Sequence, residues 1–412
     1  MPRLRHGLPV WLDQTSTPKR KYPRHYGHLD VDVVIIGGGI TGAICAYCFS
    51  AAGISVALLE SKVVGRGSTA ASTALLMQEP DRDFSDLERR FGRRAAREIW
   101  MALSRATKDL ARTIRSLKID CDLRSLGSVY YTLDPVAVPA LRKEFEARKR
   151  ARLPGRWLSA PALHRATGIQ AHAAIVTPGN AEVNPVRACH GFLAAAVRRG
   201  SSVFEHSPAH IIRSTRHGVF VRTSGGSITA KIAVIATGYS RRGFEPYVGR
   251  FTMKDTYVIA TRRLPLRIRR AIPGARSMGW NTDRPYYYLR WTADGRVLVG
   301  GADTVHRTAK GSRKRIAKAR VLLMNHLRGL YPSLAGERPA YAWEGLFAET
   351  PDGLPYIGRH SRYSNHLFAL GYGGNGMTAS FLAATLLLRS FKAREPRSNR
   401  MLDLFAFKRG RR

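Results

Sequence analysis

The stretch Val31-Asp32-Val33-Val34-Ile35-Ile36-Gly37-Gly38-Gly39-Ile40-Thr41-Gly42 decides the fold. Its first six residues form an apolar run without alternation, which suits a strand buried on both faces of a parallel sheet. The glycines that follow make a G-x-G-x-x-G, and the small apolar residues after them, Ala43 to Cys48, continue as a helix. A second strand, Ser55 to Leu59 (SVALL), ends at Glu60. That βαβ order, with an acid about twenty residues beyond the glycines, is the pattern of a dinucleotide site. The glycines let backbone amides approach a diphosphate, whose charge the helix N-terminus favours by about 0.3–1 kcal/mol per contact. Glu60 would accept hydrogen bonds from an adenosine ribose. A ligand-free tight turn explains the glycines alone, but not the strand, helix and acid around them.

NAD and FAD share this pattern, so a second feature must separate them. After Glu60 comes Gly65-Arg66-Gly67-Ser68-Thr69-Ala70-Ala71-Ser72-Thr73, small and hydroxylated enough to wrap a long cofactor. More than 300 residues downstream lies Gly371-Tyr372-Gly373-Gly374-Asn375-Gly376-Met377-Thr378, again between a strand (His366–Leu370) and a helix (Met377–Phe391). A second helix N-terminus suits the electron-rich edge of a reduced flavin. FAD can use both loops; NAD needs only the first.

Around these anchors, 412 residues allow two domains. No apolar run reaches the ~18 residues of a membrane span, and the basic, Pro-bearing segment Met1 to Arg24 lacks a secretory apolar core, so the expected location is cytoplasmic. Lys plus Arg number 68 against 29 Asp plus Glu, a net charge of +39. Such a field draws nucleic acid, anionic lipid or acidic metabolites; a composition biased towards arginine and spread over solvated faces is the favoured explanation. Cys45, Cys48, Cys121 and Cys189 give no disulfide framework, and the C-x-x-C lies inside the helix after the glycines, where packing accounts for it. No metal site is expected. Apolar residues from Leu87 to Leu117 recur at helical spacing, with Arg89, Arg90, Arg93, Arg94, Arg97, Arg105, Arg112 and Arg115 on the other face. TYVIAT, PYYYLRW and GRVLVGG, the last two joined at Ala293-Asp294-Gly295, read as antiparallel strands.

The expected fold is therefore α/β: a Rossmann-like, glutathione-reductase-type FAD-binding domain and a second, mainly antiparallel β substrate domain, both discontinuous. The expected division is a basic arm (1–29), an FAD-binding domain (30–85, 178–245 and 340–395), a substrate domain carrying the long helix (86–177 and 246–339), and a basic tail (396–412).

VVIIGGGITGA, LLES, GRGSTAAST, VIATGYS, ETPDGLPYIG and GYGGNGMT, in that order from about residue 30 to 390, resemble the D-amino-acid oxidase-like flavoproteins, which include glycine, sarcosine and D-amino-acid oxidases and dehydrogenases. The resemblance implies FAD stretched across the glycine-rich domain, its ring at the interface with the substrate sheet. By position it assigns Gly37, Gly39, Ile40, Thr41, Gly42, Glu60, Ser61, Arg66, Gly67, Ser68 and Thr69 to the first half of the FAD site. Ala209, Thr237, Gly238, Gly353, Gly373, Gly374, Asn375, Gly376 and Met377 complete it. It also implies oxidation of an amine or amino acid by hydride transfer to flavin N5 and imine hydrolysis, with oxygen or an electron carrier as acceptor.

Two departures qualify that expectation. Where simple amino-acid oxidases of this kind carry a carboxylate-clamping arginine, the segment Trp343-Glu344-Gly345-Leu346-Phe347 has Phe347. The family's covalent attachment residues are also missing: no Cys follows Cys189 and no His lies between His28 and His164, so FAD is expected to be noncovalent. Substrate-side candidates are Tyr257, Tyr288 and Arg290, with alternation placing Tyr286, Tyr288 and Arg290 on one strand face, and Lys254 beside them. The alternative for the aromatics is interdomain packing. Three readings stay open: an amine- or amino-acid-oxidising flavoenzyme, an RNA-modifying flavoenzyme using the basic surface, and a non-enzymatic dinucleotide- or RNA-binding protein.

Overall fold

The computed structural model describes residues 4–14, 21–239, 251–274, 277–306, 311–393 and 400–409. Parts of the expected arm and tail, and the expected boundary at 245/246, lie outside the described residues.

Two sheets organise the chain. The first has the order β17 (Tyr356–His360), β18 (Tyr363–Leu370), β11 (Gly226–Gly238), β2 (Gly27–Ile36), β3 (Val56–Leu59), β8 (Ser202–Phe204), with β10 (Gly218–Arg222) and β9 (Ile211–Thr215) continuing from β11. Its centre, β18-β11-β2-β3-β8, is parallel throughout. Val33 to Ile36 of the VDVVII run are buried on both faces, as their lack of alternation requires. Val33 and Ile35 pack under helices Ile40–Ala51, Pro185–Val197 and Gly376–Lys392, while Val34 and Ile36 pack against Val219, Val221 and Phe368. Each such side chain contributes about 1.5–3 kcal/mol. Cys45 is buried in that helix layer and Cys48 is half-buried; burial pushes the Cys48 thiol up to about 12, which fits packing rather than redox work.

The second sheet runs β1 (Arg5–Gly7), β16 (Pro339–Glu349), β12 (Thr252–Thr261), β15 (Val297–Val305), β14 (Tyr288–Trp291), β13 (Met278–Asn281), β5 (Arg124–Thr132), β7 (Ala173–Glu182), β4 (Leu75–Leu76), with β6 (Arg156–Ser159) on β7. It is antiparallel except where β13 meets β5. Helix Ser312–Leu330 covers one face through Leu323 and Leu327, over Ile259, Trp291 and Val299.

The structure redraws the expected division in four places. Residues 339–349 belong to the antiparallel sheet, between β1 and β12. The long helix, Phe84–Ser116 with a break at Gly92 (φ 78°), buries Leu87, Ile99, Leu103, Leu110 and Ile114 in the core of the parallel sheet's helix layer, not in the substrate domain. Its outer arginines find local acids, Arg89 with Asp86, Arg93 with Glu88, Arg94 with Glu98 and Arg112 with Asp109. The arm is docked: Arg5–Gly7 is a strand, and Val10 and Trp11 are buried in the short helix Val10–Gln14. Residues 400–409 of the expected tail are anchored as well, with Phe407 stacked on Tyr356 at 4.8 Å and Arg409 paired with Asp352 at 2.7 Å. In both termini a few apolar residues inside a basic stretch decide the outcome.

Candidate cofactor and active site

A cavity of about 740 Å³ opens between the two sheets, within the range of small-molecule and cofactor sites. At one end Glu60 accepts the backbone N–H groups of Gly38 and Lys62, both at 2.8 Å, and its carboxylate keeps acceptor capacity for ribose hydroxyls. Next comes the glycine turn. A Cβ on Gly42 would lie 1.9 Å from the Gly37 carbonyl oxygen, so helix Ile40–Ala51 can leave the strand this steeply only with glycine there. The helix begins at Gly39 without a side-chain cap. Thr69 Oγ1 accepts the Ile40 N–H at 2.9 Å, and the remaining first-turn amides have no partner within the helix. The Gly65 N–H donates to the Gly38 carbonyl at 2.9 Å, which lays the GRGSTAAS segment across the turn.

At the far end the second glycine loop meets β11 and β16. Gly371 N–H donates to Gly238 O at 2.9 Å and Gly373 N–H to Ala348 O at 3.0 Å. Asn375 Nδ2 donates to the carbonyls of Met77 (3.0 Å) and Glu79 (2.9 Å), while the Gly374 N–H donates to Asp81. Helix Gly376–Lys392 also starts with no side-chain cap. Two uncapped helix starts therefore face one elongated cavity, with an acid at the nucleoside end. This cradle fits FAD.

The chamber beyond the second loop is lined by Thr256, Trp280, Tyr286, Tyr288 and Phe347, and by Asp81, Asp83, Arg284 and Asp303. A Cβ on Gly374 would sit 2.4 Å from the Tyr286 hydroxyl, so the glycine makes room for that ring. Thr256 Oγ1 and the Tyr288 hydroxyl are 3.0 Å apart. Asp83 is shared by Tyr130 and Arg284, each at 3.3 Å. Burial, opposed by the Gly374 N–H, pushes the Asp81 carboxyl up to about 7. Burial also pushes Asp303 up to about 6 against the pull of Thr256 and Lys254, and its Oδ1 is buried with no hydrogen-bond partner.

The family model for FAD-dependent oxidoreductases of the DAO type matches residues 32–389. The chain belongs to the DAO family of FAD-dependent oxidoreductases. It is 28% identical to the γ-glutamylputrescine oxidoreductase of Escherichia coli over 364 residues, 86% of this chain and 82% of that protein. It is 27% identical to the glycine oxidase of Bacillus licheniformis over 362 residues, 84% and 89% of the two chains. Solved structures share the fold: glycine oxidase from Geobacillus kaustophilus (TM-score 0.73, 21% identity, covering 89% of this chain and 96% of that one) and L-amino acid deaminase from Proteus vulgaris (TM-score 0.75, 16% identity, 95% and 99%). Among the described residues no helix is long and apolar enough to cross a membrane.

In this DAO-family chain, the residues expected around FAD fall along the cavity with two exceptions. Gly37, Gly39, Ile40, Thr41, Glu60, Ser61, Arg66, Gly67, Ser68 and Thr69 line its first half. Ala209, Thr237, Gly238, Gly373, Gly374, Asn375, Gly376 and Met377 line the rest. Gly42 stands behind the wall, setting helix against strand. Gly353 sits outside the lining, in the Thr350–Leu354 turn, where its φ of 74° and the Arg82 side chain, 2.8 Å from where a Cβ would be, call for glycine.

Of the substrate-side candidates only Tyr288 lines the chamber. Tyr257 is 3% exposed and faces the other way, into the core under helix Ser312–Leu330, since Thr256 beside it takes the chamber face of β12. Lys254 pairs with Glu349 behind the lining. Arg290 is 1% exposed, paired with Glu182 at 3.0 Å, and donates to the carbonyls of Thr73 (2.7 Å) and Val183 (2.8 Å). It braces the cavity floor, because two residues along β14 from Tyr288 the sheet has passed under the Thr73 segment. Arg290→Ala is therefore expected to cost about 1–3 kcal/mol of stability, read by denaturant unfolding, because the buried carbonyls of Thr73 and Val183 lose their donor and Glu182 keeps only Arg124; unchanged stability would count against this bracing role. Asp81, Asp83, Arg284, Asp303 and the chain start at Leu4 were missed. Arg284, directly before PYYYLRW, and Asp303, two residues beyond GRVLVGG, stood next to recognised patterns.

Proposed function

We propose that the protein binds FAD noncovalently and oxidises the C–N bond of an amine or amine-bearing acid, passing electrons to oxygen or a carrier. The observation that carries this is the chamber's chemistry: carboxylates of Asp81 and Asp303 beside the rings of Tyr286 and Tyr288, in a chain whose net charge is +39. An otherwise basic protein that keeps carboxylates at the inner end of its cofactor cavity is built there for a cation. Relatives named for γ-glutamylputrescine and for glycine support a substrate with an amine. With Phe347 in the chamber wall, the guanidiniums left for a substrate carboxylate are Arg284, already beside Asp83, and Arg148, already paired with Glu144.

The cofactor, when bound, accepts the hydride from the carbon bearing the amine. The protein's residues hold the substrate and manage its proton. Asp303 receives the substrate's ammonium on its unpartnered Oδ1 and takes a proton, which leaves the amine lone pair free to stabilise the developing imine. The aromatic faces of Tyr286, Tyr288 and Trp280 exclude water and favour a cationic head. Water then hydrolyses the released imine.

No arginine of helix Phe84–Ser116 lines the cavity, and several are engaged by acids of the same helix, so the basic surface gives the RNA-modifying reading no support at the chamber. The test is anaerobic absorption spectroscopy with a panel of primary and secondary amines, amino acids and amine-free acids of matched size. Amines should bleach the flavin bands fastest. Faster bleaching by an amine-free acid would overturn the reading.

A further inference from the structure

Residues 4–7 lie ahead of the stretch that the family model matches, yet Leu4, Arg5, His6 and Gly7 form part of the cofactor cavity's wall. We propose that this N-terminal segment is a clamp on the diphosphate of FAD, with Arg5 joining Arg66 to supply two cations.

The segment is held at both ends. β1 lies antiparallel on β16, with Arg5 opposite Gly345, and the Leu346 N–H donates to the Leu4 carbonyl at 3.0 Å. Gly7 closes this pairing, since a Cβ there would lie 2.5 Å from the Ala342 carbonyl oxygen. Leu4 fills the space left by Gly67, where a Cβ would meet its Cδ1 at 2.7 Å. Further on, the Trp11 indole donates to the Ser72 carbonyl at 2.8 Å, with the Arg290 guanidinium over its ring at 5.2 Å.

Held in this way, the Arg5 guanidinium donates from Nε to the Arg66 carbonyl at 2.9 Å and from one terminal nitrogen to the Gly7 carbonyl at 3.0 Å. Both arginines line the cavity, and among the described residues neither has a carboxylate partner. Burial, and then the charge of Arg66, lower the affinity of Arg5 for its proton. A half-buried Arg5 beside the exposed Arg66, two like charges with no acid between them, calls for an anion. The position says which anion: Arg66 follows Gly65, whose N–H is bonded to Gly38 in the glycine turn, so the pair stands beside the uncapped start of helix Ile40–Ala51. The diphosphate is the anionic part of FAD, and it would be gripped by helix amides from one side and two guanidiniums from the other.

The test is titration of the full-length apoprotein with FAD and with riboflavin, which lacks the diphosphate, following flavin fluorescence. Arg5→Gln should weaken FAD binding by about tenfold, the scale of one charge-assisted contact, and leave riboflavin binding unchanged. Arg5→Lys, which keeps the charge and the β1 pairing, should retain most of the FAD affinity. Unaltered FAD binding in Arg5→Gln would overturn the proposal. So would equal losses for FAD and riboflavin, since those would make Arg5 a scaffold residue only. If Arg5→Gln does not fold, Arg66→Gln provides the same comparison without touching β1, and an equal loss for both ligands there would likewise count against the clamp.

Discussion

Asp303→Asn should lower kcat/KM for the preferred amine by about 100-fold, the lower range for losing a positioned acid–base group. The substitution keeps the size of the side chain and the Thr256 neighbour, and removes the charge that receives the ammonium. The pH profile should change with it. Asp303 ionises near 6 and Asp81 near 7, so the chamber carries its negative charge above that range and loses it below. In the parent protein kcat/KM should fall as pH drops from about 7 to about 6. The groups facing Asp303 are Lys254 and Thr256 on β12, Tyr286 and Tyr288 around β14, Glu349 on β16 and Asp81 in the loop after β4; burial pushes Asp81 and Asp303 up into this window. Asp303→Asn should remove the lower part of the acid limb and leave the part due to Asp81.

Stability should move the other way. The folded carboxyl of Asp303 ionises above its ordinary value of 3.8, so protonation favours the folded state, and that advantage is lost as pH rises through about 6. At neutral pH the ionised group is a cost that Asn does not carry. A variant that is slower but melts no lower than the parent would separate a working carboxylate from a structural one. A parallel fall in Tm and kcat/KM would sink the assignment.

The second large effect belongs to Gly42. Gly42→Ala places a methyl group 1.9 Å from the Gly37 carbonyl oxygen and 3.4 Å from Ile35 Cγ2. Backbone on one side and a buried strand on the other leave helix Ile40–Ala51 to shift, at about 1–3 kcal/mol. That shift moves the first-turn amides away from the glycine turn. The variant should fold but purify without yellow colour, with FAD affinity lowered by more than about 100-fold. The ratio of flavin to protein absorbance after gel filtration checks it, and a full complement of FAD in Gly42→Ala would refute it.

The parallel half of the molecule was legible because its signals are local. VDVVII, the glycines and Glu60 occupy one continuous stretch, and a strand buried on both faces cannot alternate. The substrate half was less legible because alternation fixes a face but not what lies above it. Tyr286, Tyr288 and Arg290 follow one another at a spacing of two, yet the chamber ends before Arg290 and the floor of the cavity begins. For Tyr257 even the face was hidden, since Thr256 and Tyr257 suit either side of a sheet by composition. Asp81 and Asp303 left less trace still. They stand far apart in the chain and acquire their shared character only through burial after folding. At the chain start, the run of bases drew attention to charge, while Leu4, Val10 and Trp11 decided where the segment goes.

The strand order has a consequence for biosynthesis. β2 leaves the ribosome well before its parallel neighbour β11, which begins only at Gly226, and before β18 beyond it, which begins at Tyr363. The loop that seats the far end of the flavin follows later still, up to Met377. A nascent chain therefore carries β2 without a partner on one edge until β11 has been made, and in that interval the second glycine loop is not yet there for FAD to bridge. FAD acts on the finished polypeptide, stabilising it by mass action, so the abundance of this protein in a cell should track the supply of riboflavin.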